Sequence, residues 1–161
     1  MACGNRFPEY WVSNLHAGMT LDSALNSLGV RDSSVRVIED RKLAPGDTRP
    51  PFDTYVVEVE ASDLGESGTL RIAFLNGGLT AAIFFPDNMK GYLDSLMRNK
   101  KIDLINYSDG KVGPKSRVNK GIDHRGKPYV QWEDIPASKK KDKWIYRYSI
   151  GSSPHQFSFS I

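Results

Sequence analysis

Lys111, Lys115, Arg117, Lys120, Arg125 and Lys127 are strung along one stretch of this chain, with Tyr129 and Trp132 directly behind them. Spaced cations neutralise phosphates or the carboxylates of an acidic protein, and interleaved aromatics stack on bases or anchor a partner. The mixture recurs in "KKKDKWIYRY". Two plainer readings stand beside it: a charge run can be a solvated loop, and aromatics alternating as Trp144, Tyr146 and Tyr148 make one face of a half-buried strand. The six cations are therefore read as a candidate binding surface, first for another protein, with nucleic acid the less favoured partner. The net charge is only +3 and the isoelectric point about 8.9. The charge is uneven, however: residues 1–99 carry 9 Lys/Arg against 13 Asp/Glu, and residues 100–145 carry 12 against 6.

Other chemistry finds little purchase. His16, His124 and His155 lie far apart and make no His-x-x-x-His or Cys/His spacing, so no metal is expected. Carboxylates adjoin at Glu39-Asp40 and Glu133-Asp134, and Glu58 and Glu60 share one face of a strand. General acid/base work needs environments that drive two pKa values apart, which adjacency does not supply. Asp123-His124 reads as a polar loop pair. No phosphate-cradling Gly-x-x-x-x-Gly-Lys loop, dinucleotide fingerprint or nucleophile elbow is present. Cys3 is the one cysteine, which rules out an internal disulfide, and a thiol at a chain end makes a poor catalytic nucleophile. The expectation is a protein without catalytic residues, metal or cofactor.

These side chains must be held by a fold, and 161 residues suit a single domain. Mean hydropathy is −0.45, and no apolar run is long enough to span a bilayer as a helix. "FPEYWVSNLHAG" places Trp11 and Leu15 at i and i+4, the spacing of a short helix. In "GMTLDSALNSLG", Leu21, Ala24, Leu25 and Leu28 form one apolar stripe, with Thr20 to cap its start and Gly29 to end it. Strands are predicted at "SVRVIEDRKL" and "TYVVEVEAS", the second with an apolar face opposite an acidic one. "TLRIAFLNGGLTAAIFF" predicts a hairpin turning at Asn76-Gly77-Gly78. Simple alternation puts Leu70, Ile72 and Phe74 with Leu79, Ala81, Ile83 and Phe85 on the face that helices would cover. A third helix is predicted in "PDNMKGYLDSLMRN", capped by Asp87, with Met89, Tyr92, Leu93, Leu96 and Met97 on one face. "KIDLINYS", "YVQWED" and "KWIYRYSI" read as further strands, and "QFSFSI" as an edge strand or tail. The predicted class is α+β, with short N-terminal helices packed on an antiparallel sheet and another helix after the central hairpin. Residues 1–8 would be a tether, and 9–161 one domain with an exposed basic excursion at about 108–128.

The helix "GMTLDSALNSLG" followed by "LRIAFLNGGLTAAIFF" resembles the small SmpA/OmlA-type outer-membrane lipoproteins and the related β-lactamase inhibitory proteins. The resemblance rests on Gly18 to Gly29 and Thr69 to Phe85. It implies a non-catalytic cell-envelope protein acting as a structural or assembly module, or as a protein-binding inhibitor. The opening "MACGN" is similar to the end of a bacterial lipoprotein signal, in which Cys3 becomes the acylated first residue. On that reading the apolar signal lies upstream in the gene, and Cys3 holds the protein to a membrane facing the periplasm. The alternative is a cytoplasmic protein with an incidental cysteine.

Overall fold

A computed structural model describes residues 9–42 and 52–140. They form an α+β arrangement dominated by one antiparallel sheet. Its strands are β1 (Arg36–Arg41), β2 (Thr54–Asp63), β3 (Glu66–Leu75), β4 (Gly78–Pro86), β5 (Asp109–Lys111), β6 (Ser116–Ile122) and β7 (Pro128–Asp134). Their spatial order is β1-β2-β3-β4-β7-β6-β5. Two helices are α1 (Leu21–Leu28) and α2 (Met89–Lys100), and residues 135–140 are also helical. Three successive strands thus build outward from β4 on one side. After α2 the chain crosses to the far edge and returns through β5 and β6, so that β7 closes against β4.

The central hairpin turns through Asn76 and Gly77, both at positive φ, the geometry that matches the twist of paired strands. Its register has one break. Phe74 pairs with Leu79 and Ala73 with Ala81, so Thr80 is an extra residue whose hydroxyl bonds the carbonyl of Ala73 at 3.3 Å. A single inserted residue reverses the facing of everything beyond it. Simple alternation is therefore wrong past Leu79. Ala82 and Phe84 join Leu70, Ile72 and Phe74 in the main core cluster, whereas Ala81, Ile83 and Phe85 lie on the opposite face beside Arg71 and Thr69, where they too are buried.

One buried cluster unites Val57, Val59, Leu70, Ile72, Phe84, Val118, Val130 and Trp132 of the sheet with Trp11, Leu15, Ala24, Leu25, Tyr92 and Leu96. In α1, Thr20 accepts a bond from Ser23 N and Gly29 ends the helix in the left-handed conformation. The start of α1 is fixed by backbone bonds, Gly18 N to Leu79 O and Leu79 N to Met19 O, each 2.8 Å. Leu28 is only half-buried. In α2, Tyr92 and Leu96 are buried while Met97 is exposed, and the cap is Asn88, not Asp87: its side chain accepts from Gly91 N at 3.0 Å.

Three further expectations are corrected. The predicted first helix is a single 3-10 turn, Val12–Asn14, because Ser13 and Asn14 both take positive φ. The turn is held from outside, where Ser13 N bonds Asp63 Oδ1 at 2.9 Å and Ser13 Oγ bonds the Ser62 carbonyl at 2.8 Å. Trp11 and Leu15 are buried nonetheless. "KIDLINYS" is not a strand: the Asp103 carboxylate draws the backbone into a turn by accepting from Ile105 N and Asn106 N. The stretch 108–128 is not loop throughout: β5 and β6 within it pair into the sheet, while much of it is exposed. The predicted strand "KWIYRYSI", the stretch "QFSFSI" and Cys3 lie outside the described residues.

Phe84 is fully buried with its ring 5.0 Å from that of Tyr92, so Phe84→Ala should cost about 3–5 kcal/mol in chemical denaturation. Val37→Ala, on the exposed edge strand, should fall within about 0.5 kcal/mol of the parent.

Candidate binding surface

The face opposite the helices is built by alternation. Glu58 of β2, Arg71 of β3, Ile83 of β4 and Gln131 of β7 stand in register across it. Glu58 is buried, with only 5% of its surface exposed, and is held by two arginines. Arg71 Nε donates to Glu58 Oε2 at 2.8 Å and its Nη2 bonds the same oxygen, while Arg36 from β1 bonds Oε1. A buried carboxylate needs such partners, since desolvation without them is expensive. A second pair, Arg117 and Glu133, joins β6 to β7 on the same face. The acidic face predicted for "TYVVEVEAS" is therefore partly neutralised by arginines from both neighbouring strands.

Beside Glu58 the face becomes cationic and aromatic. The Arg71 guanidinium carbon lies 5.6 Å from the Phe85 ring centre and Lys127 Nζ 5.7 Å from it, with the Tyr129 ring edge-on at 5.9 Å. Cations near ring faces are attracted by the ring quadrupole. Burial holds the Arg71 pKa below its ordinary value and the nearby Arg125 charge lowers it further, while Asp123 acts in the opposite sense. Arg71 stays charged, but positive charge is concentrated at this point. Gly121 makes room for Tyr129: a Cβ there would lie 2.6 Å from the phenol oxygen. Asp123 shapes the β6–β7 turn by accepting from Arg125 N at 2.9 Å and Lys127 N at 2.8 Å, which sets the basic side chains of the tip.

The six sequence-predicted cations do not form one site. Arg125 and Lys127 sit at the tip beside Arg71. Arg117 shares their face but is paired with Glu133, and Lys111 stands opposite Arg117 on edge strand β5. Lys120 is in register with the core residue Val130 on the other face, its ammonium 3.5 Å from the Ile105 carbonyl. Lys115 lies in the β5–β6 turn, away from the tip. Sequence reading missed Arg71 and Phe85 as members, because only the Thr80 bulge turns Phe85 to this face. His124 is at the tip, exposed. Among the described residues no group of three or more His, Cys, Asp or Glu side chains is placed to hold a metal, and no helix is long and apolar enough to cross a membrane.

Comparison with protein-family models, with curated proteins and with solved structures finds no significant match.

Glu58→Gln should destabilise the protein by about 2–3 kcal/mol, the scale of charge-assisted bonds, because both arginines lose their counter-charge. Replacing Glu58 and Arg71 together by Leu and Met should recover part of that loss, measurable as a double-mutant cycle. The tip has a pH signature as well. The Lys127 amide bond, aided by that of Arg125 and by the Arg125 charge, holds the Asp123 pKa below its ordinary value. A depressed folded pKa stabilises the turn above the unfolded Asp pKa, and that contribution is lost as pH falls through the folded value. The amide resonances of Arg125 and Lys127 should titrate with a midpoint below the ordinary Asp range; a midpoint at or above it contradicts the tip geometry.

Proposed function

We propose that this chain is a non-catalytic binding module of the bacterial cell envelope, anchored to a membrane through acylated Cys3, which recognises an acidic surface of a partner protein with the β6–β7 tip. The observation that carries the reading is the exposed pair Arg125 and Lys127 at the tip, with the half-buried Arg71 and Tyr129 beside them, held in place around the buried ring of Phe85. Arginine and tyrosine are the residue types that most often dominate protein–protein binding energy, and a positive patch steers an acidic partner toward it. The pairs Arg36–Glu58–Arg71 and Arg117–Glu133 stiffen the strands beneath the patch, so little ordering entropy is lost on binding. In this reading α1 and the turn before it act as a clamp on the other face, and the resemblance to SmpA/OmlA-type lipoproteins and β-lactamase inhibitory proteins supplies the envelope setting. The role is structural, as in assembly, or inhibitory. A nucleic-acid groove fits less well, because Lys115 and Lys120 stand away from the face that carries Arg125 and Lys127.

Fractionation of cells expressing the native gene tests the anchoring. The protein should be in the membrane fraction with a lipid-sized mass on Cys3, and Cys3→Ser should release it folded. Buried acyl chain contributes about 0.8 kcal/mol per CH₂, so several chains hold where a mildly basic surface does not. Carbodiimide coupling, which joins amines to carboxylates in contact, should link the membrane-bound protein to a partner and lose that adduct in Arg125→Gln/Lys127→Gln. Unmodified protein in the cytosol removes the envelope reading, and an adduct indifferent to the tip substitutions removes the tip as the recognition surface.

A further inference from the structure

A shallow depression of about 430 Å³ lies over β5, β6 and β7 on the face opposite the helices. Strand register builds it. Asn119 of β6 stands between Asp109 of β5 and Gln131 of β7, and the neighbouring row along the same strands pairs Arg117 with Glu133. Positions two apart on a strand share a face, so the two rows lie side by side. Ser108 and Lys120 complete the lining. The volume falls within the range of ligand clefts, but the lining is unlike the usual apolar one: every residue in it is polar or charged.

Some of these groups are committed and others are not. Arg117 is held, its Nε donating to Glu133 Oε1 at 2.7 Å and its Nη2 bonding the same oxygen. The Lys120 ammonium is turned to the Ile105 carbonyl at 3.5 Å. Gln131 Nε2 reaches Glu133 Oε2 only at 3.5 Å, a length at which a hydrogen bond is weak. The side chains of Asn119, Asp109 and Ser108 have no hydrogen-bond or ion-pair partner among the described residues. Asn119 and Gln131 are half-buried, directly paired across the ladder, and each amide offers a carbonyl acceptor beside two N–H donors. The next position along this face of β7 is Tyr129, whose phenol end lies over Gly121, so a ring stands at the margin of the polar rows.

We infer that this depression binds a neutral carbohydrate, with sugar hydroxyls bridging the side-chain amides of Asn119 and Gln131 and reaching the carboxylates of Asp109 and Glu133. The inference goes beyond the protein-binding reading of the tip and does not depend on it. Charge excludes an ionic ligand as the preferred occupant, because the two carboxylates Asp109 and Glu133 are matched by the two cations Arg117 and Lys120. The absence of apolar lining leaves no seat for the side chains of a peptide or for an acyl chain. What the lining does offer is donors and acceptors set close together with no net charge. Neighbouring hydroxyls on a sugar ring each donate and accept, and so can satisfy both kinds of group at once.

Titration of the full chain with cellotetraose, maltotetraose and the tetramer of N-acetylglucosamine, followed by amide resonances, tests this. At least one should bind saturably, with shifts centred on residues 108–109, 117–120 and 131–133. Because the ligand is neutral, salt should leave its affinity unchanged. Asn119→Ala and Gln131→Ala should each weaken binding by about fivefold or more, the scale of one hydrogen bond, at an unchanged melting temperature, since neither amide makes a strong bond within the protein. Lys90→Gln, an exposed position on α2 on the other face, should bind like the parent. No saturable binding of any of the three sugars, an indifferent Asn119→Ala, or shifts centred on residues 123–129 overturns the inference. So does an alternating Ala-Gly octapeptide that shifts the same residues while the sugars do not, since the site would then read peptide backbone.

Discussion

The extra residue at Thr80 governs how this molecule divides its apolar side chains. Without it, the run from Leu79 to Phe85 would alternate uninterrupted, and Phe85 and Ile83 would follow Leu79 into the core. With it, Phe84 meets Tyr92 and Phe85 meets Arg71, Lys127 and Tyr129. One strand thereby serves two faces: Ala82 and Phe84 join the main buried cluster, and Ala81, Ile83 and Phe85 are buried on the opposite face, where Phe85 supports the surrounding Arg71, Lys127 and Tyr129. A bulge is a local backbone event, yet its effect runs the remaining length of the strand because strand side chains have a period of two.

The remaining architecture holds that division in place through a few polar anchors. Asp63, at the end of β2, accepts from Ser13 N with one oxygen and from the Tyr92 hydroxyl at 2.6 Å with the other. It thus ties the N-terminal turn and α2 to the same strand end. Burial, then the adjacent Asp63 charge, drives the Tyr92 pKa far above its ordinary value, so the phenol remains a donor. On the opposite face Glu58 joins β1, β2 and β3 through its two arginines. Trp11 closes the far side, its indole N–H bonding Ser116 Oγ at 3.0 Å and so linking the N-terminal segment to β6. These contacts join residues distant in sequence, so the charged face and the core are organised by the same chain crossings.

How much of this is legible in the sequence follows from the range of each interaction. The α1 stripe, its Thr20 cap and its Gly29 stop are set within one helical turn, and the Asn76-Gly77 reversal within two residues, so all are readable. The Thr80 bulge is not, because the one-residue offset emerges only when β4 is laid against β3. The Val12–Asn14 turn is similar: i and i+4 spacing suggests a helix, but Asp63, fifty positions away, captures the Ser13 amide. Residues 108–128 read as a loop because Gly, Lys and Asn are poor strand formers, yet pairing with β7 makes β6 a strand. Of the six predicted cations, Arg125 and Lys127 reach the patch, and their partners Arg71 and Phe85 come from the two arms of a hairpin much earlier in the chain. Which cations gather is a matter of sheet order, which composition does not encode.

The core cluster and the tip both require Phe84 and Phe85 to face opposite ways across β4, and inter-proton contacts in solution read that directly. Nuclear Overhauser spectra of the full chain should connect the Phe84 ring with Tyr92, and the Phe85 ring with Tyr129 and the Lys127 side chain. Contacts from the Phe85 ring to Tyr92, with Phe84 instead beside Lys127, would place the strand in the uninterrupted register and contradict both the core and the binding surface described.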